Sequence, residues 1–138
     1  MEHFDFGIRV EMGGTIGSGH FFRCLSLAKK LKKRGKKVIF LISNKKEFQS
    51  HGKIKFPFLV LKNKTEKRKI QECKELMSKI KCMIVDLQSN EEDYGEKLQN
   101  ENVVIIDDIG KKKIYSKIII NGSIVKKFHK YEIKNKST

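Results

Sequence analysis

Apolar residues recur along the chain in two rhythms: short unbroken runs, and longer stretches at helical spacing. Gly7 to Glu11 reads as a short strand that follows a loose amino terminus. Met12 to Gly19, with four glycines in eight residues, is too glycine-rich for regular structure and is expected to be a loop. From His20 onward Phe21, Cys24, Leu25, Leu27, Ala28 and Leu31 fall at helical spacing, with Lys29, Lys30, Lys32 and Lys33 mostly on the other side. Lys33 and Arg34 suit the negative end of that helix, and Gly35 suits its C′ position. Val38 to Ile42 is an unbroken apolar run, as in a parallel strand covered on both faces. Ser43 or Asn44 is expected to cap a short helix reaching about Ser50, with Phe48 inward and His51-Gly52 ending it. Phe56 to Leu61, with Pro57 near its start, predicts a strand that is short or near an edge.

Thr65 is expected to cap a second long helix, in which Ile70, Cys73, Leu76, Met77 and Ile80 sit at i, i+3, i+6, i+7 and i+10. Cys82 to Leu87 predicts a buried strand. Ser89-x-x-Glu92 has the form of a capping box opening a short polar helix with Tyr94 and Leu98. Val103 to Ile106 is the next strand, and Ile114 to Ile120 a last one closed by Asn121-Gly122. After Lys126 the chain turns polar and basic. This alternation is a run of βαβ units, and right-handed crossovers make it a parallel, Rossmann-like α/β sheet with helices on both faces. The domain is expected over 1–125, with 126–138 a basic tail or the start of an interdomain connection.

Composition changes this picture little. No run of ~18 apolar residues is present, so no transmembrane segment is expected. Met1 to Phe6 lack the basic and apolar regions of a signal peptide, and a cytoplasmic location is expected. Cys24, Cys73 and Cys82 are an odd number without C-x-x-C spacing and read as buried small hydrophobes. The four histidines, His3, His20, His51 and His129, include no H-x-x-x-H pair, so neither a metal nor a cofactor is expected. The formal charge of +15 raises nucleic-acid binding. Its lysines are dispersed, however, and no nucleic-acid-binding motif accompanies them, so no specific nucleic acid is expected. An anionic substrate or an acidic membrane face suits the same charge.

The candidate chemistry sits at the carboxyl ends of strands, where ligands bind in sheets of this kind. Four polar features lie there: the glycine loop with His20, Ser43-Asn44, Asp86 with Gln88, and Asp107-Asp108. Gly13, Gly14, Gly17 and Gly19 let the backbone take positive φ and approach a ligand closely, and the following helix offers unpaired N–H groups to a phosphate or oxyanion. The spacing is neither a P-loop nor G-x-G-x-x-G. The positive end of that helix favours a neutral imidazole at His20, which then either accepts a proton as general base or hydrogen-bonds and closes the loop. Asp107 and Asp108 are adjacent, so one of them is expected to face the cleft and the two are not a catalytic dyad.

The segment from Arg9 and Glu11 through Gly17-Ser18-Gly19-His20 to Arg23-Cys24-Leu25 and Leu27-Ala28 resembles a family signature. It is that of the UDP-sugar hydrolase of the pseudaminic acid pathway and its spore-coat and surface-polysaccharide relatives. Weaker echoes follow at Val85-Asp86, Ile106-Asp107-Asp108 and Ile119-Ile120-Asn121-Gly122. The resemblance implies the amino-terminal domain of a GT-B architecture, with His20 activating water to release UDP from a UDP-sugar-type substrate without a metal. It implies ligand contacts at Arg9, Glu11, Gly17, Ser18, Gly19, Asp86, Gln88 and Asp108. Glu11 stands where the family has Asp, and Leu87-Gln88 where the hydrolase carries an aromatic pair. It also implies a separate carboxyl-terminal, nucleotide-binding GT-B domain, expected as a partner chain. Hydrolysis and glycosyl transfer both fit, and the alternative class is a non-catalytic binding domain that kept the fold.

Overall fold

The computed structural model describes residues 1–13, 19–51, 54–89, 91–108, 111–121 and 130–134. Six strands form one all-parallel sheet in the order β3-β2-β1-β4-β5-β7. They are β1 (Phe4–Val10), β2 (Val38–Ile42), β3 (Phe58–Val60), β4 (Ile80–Asp86), β5 (Val103–Ile106) and β7 (Ile118–Ile120). The helices between them are α1 (Gly19–Lys33), α2 (Lys45–Ser50), α3 (Glu66–Leu76) and α4 (Glu91–Lys97). The Rossmann-like α/β fold expected from the alternating pattern is the one observed. No helix among the described residues is long and apolar enough to cross a membrane.

Two apolar clusters cover the two faces. On one, Phe21, Cys24 and Ala28 of α1 and Phe48 of α2 pack with Ile8, Phe40 and Ile84. Aromatic rings fill this side, with Phe21 5.6 Å from Phe48 and Phe48 4.9 Å from Phe58 between centroids. On the other face Ile70 and Cys73 of α3 and Tyr94 and Leu98 of α4 pack with Leu41, Val85 and Ile105. The capping signals act as expected: Asn44 Oδ1 accepts from the Glu47 N–H at 3.1 Å, and the Thr65 hydroxyl caps α3. Gly35 takes φ +76° just past α1, the left-handed conformation that favours glycine.

Several details differ from the expectation. β1 begins at Phe4, because the Phe4 N–H donates to the Lys79 carbonyl at 2.8 Å and brings the amino terminus into the sheet. Ile80 leaves the helical period and opens β4, since α3 stops at Leu76 and a turn intervenes. Cys82, within β4, is half-buried rather than buried. The single strand expected from Ile114 to Ile120 is two, β6 (Lys111–Tyr115) and β7, broken at Ser116-Lys117. The Ser116 hydroxyl turns the chain there, lying 2.9 Å from the Val103 carbonyl and 2.7 Å from that of Ile118. β6 pairs in parallel with β8 (Lys130–Lys134) as a separate two-stranded sheet, and β8 falls in the polar segment after Lys126. Ser89-x-x-Glu92 spans position 90, which lies outside the described residues.

Candidate active site

The order of strands reverses direction between β1 and β4. β1 leads into α1 on one face and β4 into α4 on the other, so their carboxyl ends diverge and leave a crevice. Three of the side chains that the sequence points to, His20, Asp86 and Asp108, are linked at this crevice through Arg23.

Asp86, the last residue of β4, has no exposed surface. Its position follows from the turn beyond it, where the Leu87 N–H donates to the buried Glu91 carboxylate at 3.0 Å as α4 begins. The two Asp86 oxygens receive three side chains of α1. His20 Nδ1 lies 2.6 Å from Oδ1, Arg23 Nε donates to Oδ2 at 2.5 Å while its Nη2 donates to Oδ1, and the Cys24 thiol donates to Oδ2 at 3.3 Å. Arg23 then extends Nη1 to the exposed Asp108 at 2.7 Å, which joins the ends of β4 and β5 through one guanidinium.

A carboxylate only accepts, so a neutral His20 ring keeps its hydrogen on Nδ1, pointing at Asp86. Arg23 Nη2, 3.1 Å from the same nitrogen, stands beside it without a lone pair to donate to. Nε2 therefore carries the free lone pair, and it has no hydrogen-bond partner among the described residues. The His20 side chain keeps 20% of its surface exposed, enough to meet a ligand. Hydrogen bonds to Asp86, ahead of those to Asp108, raise the pKa of Arg23 above the ordinary arginine value, so it is a fixed cation. Burial first, and then the Asp86 charge, push the Cys24 thiol far up, so it remains protonated and acts as a donor.

A second group lies under the rim. Arg9 has no exposed surface. Its Nε donates to the Tyr94 hydroxyl at 2.8 Å, and its Nη1 donates to the Glu11 carboxylate and the Val10 carbonyl. Burial opposes the charge on Arg9, while Tyr94 and Glu11 beside it hold its pKa above the usual value. Glu11 also accepts the Ser43 N–H at 3.0 Å and so ties the ends of β1 and β2 together. Arg9, expected as a ligand contact, is thus buried within this domain, where each of its nitrogens faces a protein group.

Of the other expected ligand contacts, Gly19 opens α1 and is exposed; a Cβ there would meet no described atom within 4 Å. Gln88 is exposed, just past β4. Asp108 faces the crevice, whereas Asp107 is buried. Gly17 and Ser18 lie outside the described residues. Arg23, Cys24 and Tyr94 were not assigned to the site from sequence. Arg23 carried a usable signal, since i and i+3 share a helix face with His20; the contact of Tyr94 with Arg9, 85 positions away, carried none. Among the described residues no group of three His, Cys, Asp or Glu is placed to hold a metal ion. Comparison with protein-family models, curated proteins and solved structures gave no match to this chain.

Proposed function

We propose that this domain is half of a nucleotide-sugar enzyme of surface-polysaccharide or nonulosonic acid biosynthesis, in which His20 acts as general base. The observation that carries the reading is the 2.6 Å contact of His20 Nδ1 with buried Asp86 at the β1/β4 crevice. Such a pair holds the ring in one tautomer and stabilises the imidazolium that forms when Nε2 takes a proton. The resemblance of Arg9 to Ala28 to the pseudaminic-pathway hydrolases supplies the substrate class, a UDP-sugar. Water, or an acceptor hydroxyl, attacks the sugar and gives its proton to Nε2. The bond between sugar and UDP breaks, and UDP leaves with the electron pair. The first N–H groups of α1 and the open space over Gly19 suit the pyrophosphate. A nucleotide-binding domain opposite this crevice, on a partner chain or elsewhere in the polypeptide, completes the proposed site.

The test is UDP release from a UDP-2,4-diacetamido sugar by the chain combined with the product of the adjacent reading frame. Turnover is expected in the combination and should fall by about 100-fold or more with His20→Ala. Undiminished turnover by the His20→Ala complex would sink the reading.

A further inference from the structure

Away from the crevice, a groove of about 620 Å³ runs along the outer side of α1, between that helix and the segment leading into β3. Its floor is Leu25, Ile54 and Phe56, all half-buried at the margin of the α1 core. Its rim is Lys29, Lys32, Lys33 and Lys55, all exposed, and among the described residues no acidic side chain lines it. None of these four lysines takes part in an ion pair among the described residues, although Lys37, Lys69 and Lys81 do. Past Lys32 and Phe56 a smaller hollow of about 200 Å³ continues the groove to Lys36 and to Lys37, which pairs there with Glu2.

We propose that this groove docks an acidic amphipathic segment of a protein partner, with apolar side chains on the floor and carboxylates against the lysine rim. An apolar floor between two walls is the shape that receives spaced apolar anchors of a helix. Four unpaired ammonium groups around it select a segment flanked by carboxylates and speed its encounter, while the floor supplies the affinity. The same geometry argues against the other polyanions. A bilayer surface is flat, and these apolar side chains are half-buried while the lysines around them are exposed. A single strand needs several aromatic rings on which successive bases stack, and among the described residues Phe56 is the one phenyl ring lining this groove.

The test uses the whole chain, labelled with nitrogen-15, and a synthetic helical peptide of about sixteen residues with leucines at i, i+3, i+4 and i+7 and glutamates elsewhere. Saturable shifts are expected at the amides of Leu25, Ile54 and Phe56. Reversing the rim with Lys29→Glu, Lys32→Glu and Lys33→Glu, all exposed positions, should weaken binding by at least about tenfold. It should also create binding to the peptide in which lysines replace the glutamates, which a misfolded variant would not do. Equal binding of a scrambled peptide, or shifts confined to other residues, would overturn the proposal. So would tighter binding at these amides by a thymidine oligonucleotide or by phosphatidylglycerol vesicles.

Discussion

Asp86 is the residue on which the candidate site turns, because its two oxygens serve four described donors. Asp86→Asn keeps the volume but replaces one acceptor oxygen by an NH2 group, which faces either His20 Nδ1 and Arg23 Nη2 or Arg23 Nε and the Cys24 thiol. Arg23 is about one-third exposed. Water therefore screens part of the loss, and about 2 kcal/mol of stability is expected to go, measurable by denaturant unfolding. UDP release should fall by about 100-fold or more, since the imidazole loses the partner that fixes its tautomer. The imidazole nitrogen-15 shifts separate this from simple loosening: they should report Nδ1–H in the parent chain and a tautomer mixture in the variant. Retention of the single tautomer would exclude the proposed role. His20, Asp86 and Asp108 were legible from sequence because each follows a strand end or a glycine loop. Arg9 came into view only through the resemblance, and nothing local in the sequence shows that Tyr94 and Glu11 receive its guanidinium inside the protein.

At the scale of elements, caps and apolar runs were the most legible signals, and the errors came where local pattern and long-range pairing disagree. Ile80 fits the helical period of α3, yet its pairing with Phe4 in the sheet outweighs that period. Ile114 to Ile120 has strand character throughout, and only the Ser116 contacts with Val103 and Ile118 break it. One tie between elements has a pH-dependent consequence. Glu72 of α3 accepts the Lys62 N–H at 2.9 Å and the Asn63 amide at 2.9 Å, anchoring the chain after β3. Burial opposes its charge, but the Lys62 and Asn63 bonds outweigh it and hold the carboxyl below its ordinary value of 4.5. The tie is therefore fully present above pH 4.5 and is lost as pH falls through the lowered folded value. Glu72→Gln should be less stable than the parent at neutral pH, and the gap should narrow toward pH 3 in urea titrations. A gap that stays constant with pH would contradict this account.

Across the whole molecule, a charge of +15 over 138 residues makes self-repulsion a systematic cost of the compact state. The described surface ion pairs, Lys37 with Glu2 and Lys81 with Asp5, are few against this excess of charge, so screening weakens the repulsion more than it weakens attraction. The melting temperature is expected to rise between 20 and 300 mM sodium chloride by a few degrees, roughly the effect of 1 kcal/mol at this size. A fall would mean that the ion pairs dominate. The sheet order was legible only as a class, because periodicity shows that strands are parallel but not which strand lies beside β1. The sorting of the helices to opposite faces also distributes the cysteines. Cys24 lies buried in the α1 cluster and Cys73 in the α3 and α4 cluster, while Cys82 is half-buried in β4 between them. Burial pushes the Cys73 thiol up to about 12 and the Cys24 thiol further still, so neither offers a nucleophile while its cluster is closed. The rate at which an alkylating reagent marks each one thus becomes a clock for the opening of its own side of the sheet. The two halves of the interior can be timed separately in the unmutated protein.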